Sequence, residues 1–194
     1  MIYPIIGISG AARSGKDTLC RALIRFFESK KIKAERKSIA GDTIKKDLKQ
    51  LIKNKANINS FTEDIYEKTL IRPLLVEYGK LMRNQTKGRY FIEKLECNNK
   101  NIIIIPDIRY AEYENDELFW IKNEKQGFLI FVDHEYISDA NETEKINNKI
   151  IKKQSDYKLK WSTLNENNPI DLKKINDIAE KIGTSYLKKF TIFQ

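Results

Sequence analysis

Residues 7–18 read GISGAARSGKDT, two glycines enclosing four residues with Lys16 directly after the second. Upstream lies an apolar run, IYPIIGI (2–8), and downstream Leu19, Ala22, Leu23, Phe26 and Phe27 share one helical face opposite Arg21 and Arg25. The order is therefore strand, glycine turn, helix, which fixes the first unit of an α/β fold and restricts what can follow it. A turn of this kind needs glycine where φ is positive or where a side chain would obstruct an anion. It predicts a phosphate cradle from Gly10 through Ala11, Ala12, Arg13, Ser14, Gly15, Lys16 and Asp17 to Thr18. Lys16 would neutralise the outer phosphates and the helix N-terminus would add its dipole.

The remaining pattern extends that unit. KAERKSIA (33–40) is a weak strand candidate and DTIKKDLKQLI (42–52) has helical spacing. Pro73 interrupts the next segment, after which LLVEYGKLMRN (74–84) and RYFIEKLE (89–96) read as two helices joined around Gly88. NIIIIPDIR (101–109) carries four consecutive isoleucines, as a parallel strand covered on both faces does. EYENDELFWIKN (112–123) reads as a helix, GFLIFVD (127–133) as a strand and DYKLKWS (156–162) as an edge strand. The segment 134–153 is Lys/Asn-rich and is either mobile or helical; DLKKINDIAEKI (171–182) is an amphipathic helix with Gly183 as its stop. The expectation is an α/β chain with a five-stranded parallel sheet flanked by helices and a small lid near 134–155, forming one domain over 1–194.

Ligands in such sheets bind at the carboxyl ends of strands. Asp107, after IIIIP, is placed to hold a metal-bound water opposite the cradle, and Arg109 to contact a phosphate or pair with an acid. Asp17 stands where the general motif has Ser or Thr. A carboxylate also suits Mg²⁺, and Thr18 offers either a hydroxyl ligand or a helix cap. Arg72, Arg83 and Arg89 are solvated or ion-paired, or they align an acceptor that carries its own phosphate. His134, the single histidine, reads as a solvated turn residue.

Composition closes off several classes. No apolar run reaches the roughly 18 residues of a membrane span, and MIYPIIGISG lacks the basic leader of a signal peptide. Cys20 and Cys97 have no metal-type spacing and suit reduced thiols in a cytoplasmic compartment. The formal charge of +9 fits anionic partners. Its lysines are dispersed, which favours nucleotides and solvation over nucleic acid. Oligomeric state, a homodimer included, is open.

Taken together, SGAARSGKDT, SIAGDTIKKDL, IRPLLVEYGKLMRN with GRYFIEKL, and IIIIPDIR resemble the deoxynucleoside monophosphate kinases of phages and related viruses, in the same order over about two-thirds of the chain. The resemblance implies ATP, with Mg²⁺, in the cradle at Gly10 to Thr18, and a deoxynucleoside monophosphate near Asp42, Lys45 and Lys46, in an acceptor region of about 41–98. It also implies acceptor-side roles for Arg72, Arg83 and Arg89, catalytic positions for Lys16, Asp107 and Arg109, and contact of Arg13 with the transferring phosphate. Metal-facing positions are Asp17, Thr18 and Asp107. Glu144 and Asp156 resemble positions near the lid and the base, and the setting would be cytoplasmic, that of a host cell if the chain is viral. Lids of this family carry arginine, but this chain has none after Arg109. Lys145, Lys149, Lys152 and Lys153 are the substitutes, without the bidentate fork. The alternatives are a related small-molecule kinase, of the phosphomevalonate or dephospho-coenzyme A type, and a nucleotide-binding protein without turnover.

Overall fold

The computed structural model describes residues 3–97 and 100–190. Ile2, the first residue of the predicted opening strand, and Asn98, the last of the predicted acceptor region, lie outside them. The chain divides into two compact units, one formed by 1–37 with 97–194 and the other by Ser38–Glu96.

The first unit is built on five parallel strands: β1 (Ile6–Ser9), β2 (Ala34–Arg36), β3 (Ile102–Ile105), β4 (Phe128–His134) and β5 (Tyr157–Trp161). Their order in the sheet is β2-β3-β1-β4-β5, with Ile6 opposite Ile104 on one side and Phe128 on the other. Because β1 lies at the centre, the turn that follows it emerges between two neighbouring strand ends, where a ligand is flanked on both sides.

The pleat divides each apolar strand between two layers. Ile6, Ile8, Ile102, Ile104, Phe128, Ile130 and Val132 pack with Leu19, Leu23 and Phe27 of α1 (Lys16–Ser29) and with Ile175, Ala179, Ile182 and Tyr186 of α8 (Pro169–Lys189). Gly7 faces the opposite layer, where a Cβ would run into Ile121 and Ile108. Tyr186 donates from its hydroxyl to Pro4 O at 2.6 Å, so the large buried phenol is satisfied.

Gly183 does not stop α8, which continues to Lys189. A Cβ at this position would fall against the Phe26 ring, so the glycine is there to let α8 approach α1 closely. The helix expected at 112–123 is also reduced, to α6 (Glu117–Phe119) and one π-helical turn at Trp120–Glu124. Residues before it turn onto the buried Asp116 carboxylate, which accepts from Glu112 N–H and Tyr113 N–H at 3.3 and 3.4 Å and caps α6 through Glu117 N–H at 2.9 Å. Local side-chain bonding of this type competes with helix. Of the two readings of 134–153, the helical one holds over α7 (Glu142–Gln154), capped by Asn141.

The second unit is helical: α2 (Gly41–Asp47), α3 (Lys49–Ala56), α4 (Ile65–Thr86) and α5 (Tyr90–Glu93). The single helix predicted at 42–52 divides at Leu48. Pro73 lies inside α4 instead of ending the segment before it. Ile71, Leu75 and Tyr78 of α4 pack with Ile44, Leu48, Ile52 and Ile58, and this burial offsets the hydrogen bond that proline cannot donate. The turn at Gly88 is as expected, with Lys87 at φ 50° and Gly88 at φ 88°.

Candidate functional site

Between β1 and α1 the backbone turns through three left-handed residues, Gly10 (φ 139°), Arg13 (φ 66°) and Gly15 (φ 88°). Gly10 is excluded from having a side chain twice over: by φ, and because a Cβ would strike the Val132 carbonyl oxygen of β4. At Gly15 a Cβ would strike the Trp161 indole at the end of β5. Arg13 pays for its conformation without glycine's freedom, which places a guanidinium, exposed, at the apex of the turn.

Lys16 is the first residue of α1 and is only 7% exposed. Its ammonium donates to Gly10 O at 2.8 Å and Ala11 O at 2.5 Å, with Ser14 Oγ at 3.5 Å. The lysine thus closes the loop on itself. Burial foremost, with the Arg109 guanidinium second, lowers its pKa from 10.5 to about 8 against the opposing pull of Glu144, Asp17 and Asp107. Lys16, Asp17, Asp107, Arg109 and Glu144 share one electrostatic neighbourhood near the end of β1.

Each partner is held differently. Asp17 pairs with Arg36 Nε at 3.4 Å, both exposed, and Thr18 Oγ1 accepts from Arg21 Nη2 at 3.2 Å. Asp107 is half-buried after β3, and Arg109 is exposed. The backbone that carries Arg109 is fixed by a buried carboxylate: Glu117 accepts from Arg109 N–H at 2.7 Å and Tyr110 N–H at 3.2 Å. Asn147 of α7, also buried, accepts from Ala111 N–H at 2.7 Å. Sequence reasoning missed Glu117 and Asn147, because a helix at 112–123 and a Lys/Asn-rich segment at 134–153 single out neither residue. Oxygen donors of the right kind for Mg²⁺ are present in Asp107, Asp17 and Thr18, which fits an ion that takes one or two protein oxygens and completes its shell with phosphates and water.

The lid lysines separate. Lys152 pairs with Asp133 at 2.7 Å and lies 5.7 Å from the Phe131 ring centroid, while Lys145 pairs with Glu142 at 3.4 Å. Lys145, Lys149 and Lys152 line a cavity of about 600 Å³ that Ala11, Phe131 and Asp133 also border; Lys153 does not. His134, read as a solvated turn residue, is instead the half-buried last residue of β4, opposite Trp161 of β5, and accepts from Tyr136 N–H at 3.1 Å. Asp156 sits just before β5, at the amino ends of the strands, where it accepts from Leu129 N–H at 2.8 Å. Burial pushes its pKa up, but bonds from Lys122, Lys189 and that N–H outweigh it and hold the carboxylate below its ordinary value. Burial pushes the Cys20 thiol up to about 12.

Asp42, Lys45, Lys46, Arg72, Arg83 and Arg89 all belong to the second unit. Within it, Asp42 lies in the first turn of α2, and Lys45 Nζ lies 5.3 Å from the Phe61 ring centroid. Lys46 and Arg72 are exposed, Arg83 is 5% exposed in the last turn of α4, and Arg89 pairs with Glu93 at 3.5 Å. A cluster that the sequence did not signal ties α2 to the following helices: Asp47 accepts from Tyr90 at 2.9 Å, Tyr78 at 3.1 Å and Lys94 at 3.1 Å.

No family model matches the chain, and no curated protein matches it. Among solved structures, it is similar to the APS kinase CysC of Mycobacterium tuberculosis. One structure, a Cys556Ala mutant, has a TM-score of 0.43, and another, in complex with AMPPNP and APS, has 0.44. Each is 13% identical and covers 96% of this chain and 98% of the other.

Proposed function

We propose that this chain is a P-loop phosphotransferase that moves the γ-phosphoryl group of Mg·ATP to a deoxynucleoside monophosphate. The observation that carries the reading is the turn from Gly10 to Thr18: left-handed at Gly10 and Gly15, with Lys16 buried in it, at the end of the central strand. The amides at the start of α1 have no intrahelical acceptor, so the same backbone supplies donors for a phosphate chain. When an anion enters, Lys16 exchanges two carbonyl acceptors for phosphate oxygens. Arg13 and Arg109 bring further positive charge to the region where the transferring group is most charged, and transfer rests on such positioning and neutralisation. Asp107, Asp17 and Thr18 would hold Mg²⁺, which would supply charge neutralisation to the phosphates during transfer.

The acceptor assignment rests on the resemblance of IRPLLVEYGKLMRN and GRYFIEKL, whose cations Arg72, Arg83 and Arg89 would align a second phosphate. ADP release should be measured with each of the four deoxynucleoside monophosphates, for the native chain and for Lys16→Ala. The reading expects turnover with at least one monophosphate and a loss of about a thousandfold or more in the variant. Turnover only with a non-nucleotide acceptor would replace the substrate class. ATP binding that depends on Lys16, with no transfer to any acceptor, would replace the enzyme with a nucleotide-binding protein.

A further inference from the structure

Glu144 is the third residue of α7, behind the Asn141 cap that accepts its N–H at 2.9 Å. An acid in this place ordinarily reaches back to the cap's own amide and completes a local box. Here its two oxygens go elsewhere. Oε2 accepts from Ala140 N–H at 2.5 Å, and Oε1 accepts from Ala12 N–H at 3.1 Å, inside the phosphate loop and 132 residues away. A carboxylate therefore already occupies one donor of the loop, in the electrostatic neighbourhood of Lys16.

Ala12 lies on the β1 side of the turn, four residues before α1 begins. A phosphate held by the first turn of α1 leaves the Ala12 donor to the next phosphate outward along the chain. From this arrangement we infer that Glu144 is a specificity-determining residue that stands in for the terminal phosphate of a nucleoside triphosphate and must be displaced by it. The inference rests on the phosphate-loop reading above. A diphosphate, one group shorter, leaves the Glu144 contact in place. Once the terminal group has been transferred, the carboxylate reseats on Ala12.

The rest of α7 can stay in place during the exchange. Asn147, one turn on, holds Ala111 N–H at 2.7 Å, Asn148 Nδ2 donates to Asp139 at 2.5 Å, and Ile151 is buried. Displacement would free only the first turn of α7 and the segment leading into it.

The test is calorimetric titration of the native chain, Glu144→Ala and Glu144→Gln with ADP and with AMPPNP, at one magnesium concentration. Amide exchange across 137–146 is followed in parallel. Removing the competing charge is expected to tighten AMPPNP by about tenfold and ADP by less than about twofold, with the glutamine variant between. In the native chain AMPPNP, but not ADP, should speed exchange at Ala140. An unchanged AMPPNP-to-ADP ratio, or weaker AMPPNP binding in both variants, overturns the inference while leaving the nucleotide reading intact. Absence of binding by the native chain to either nucleotide overturns both. Native-like exchange elsewhere in α7 separates either result from misfolding.

Discussion

Lys16 is buried with its charge directed at its own loop, and this has a consequence for pH. Its folded pKa of about 8 lies below the ordinary 10.5. Holding the charged form in the fold is therefore a cost present in full below pH 8, and it is relieved as pH rises towards 10.5, where the unfolded chain still keeps the proton. An incoming phosphate reverses the preference by favouring the ammonium. Nucleotide binding at pH about 8.5 should then take up a proton, and at pH about 7 it should not. Titration in two buffers of different ionisation heat reads this directly, and Lys16→Ala should abolish the difference. Arg109→Ala, which removes a charge that disfavours the ammonium, should shift the uptake to higher pH. The glycines of the same turn are constrained by backbone. Gly10→Ala combines positive φ with a clash against Val132 O, which no rotamer can relieve, and should cost about 2–4 kcal/mol in urea unfolding.

The helices show two opposing effects at residues commonly taken as breaks. In Gly183→Ala, alanine is the better helix former by about 1 kcal/mol, but its methyl must enter the Phe26 ring of a packed interface, at a cost of about 1–3 kcal/mol. The packing term is the larger, so the variant should melt at lower temperature despite its improved propensity. Pro73→Ala has no such opposing term. Pro73 is exposed within α4, and replacing it restores an N–H to the ladder, so the chain should gain about 2–3 kcal/mol by the same measurement. These two sites also mark the limit of what is legible in the sequence. The strand–turn–helix at 7–27 and the isoleucine strand at 102–105 were readable because each follows from local chemistry: glycine conformation in the first, unbroken burial in the second. Gly183 and Pro73 were misread as stops because what decides them is distant in sequence: Phe26, 157 residues from Gly183, and the α2–α3 core for Pro73. The same holds for the site. Lys16, Asp107 and Arg109 follow strands and were singled out by position, whereas Glu117 and Asn147 act on backbone N–H groups of a loop and carry no periodic signal.

At the scale of the whole molecule, stability is unevenly distributed. The β-sheet unit has a core from β1, β3, β4, β5, α1 and α8 that includes fully buried Ile6, Leu23, Phe27, Ile130, Ile182 and Tyr186. In the helical unit Leu48, Ile52, Ile58 and Ile71 form a cluster with three partly buried neighbours, Ile39, Phe91 and Ile92 are also buried, and the surface exposes Ile65, Tyr66, Leu70 and Leu81. At about 25 cal/mol per Å² of apolar surface removed from water, the smaller core supports a much smaller opening free energy. Native-state amide exchange should therefore give at least two levels of protection, with α3 and α4 exchanging through a partial opening about 2–4 kcal/mol easier than the event that exposes β1 and α1. Nucleotide should deepen protection at Ser14 to Thr18 in the sheet unit, whether or not the helical unit responds. Uniform protection across both units would show that they unfold as one cooperative body, and the difference in core size would then have no energetic consequence.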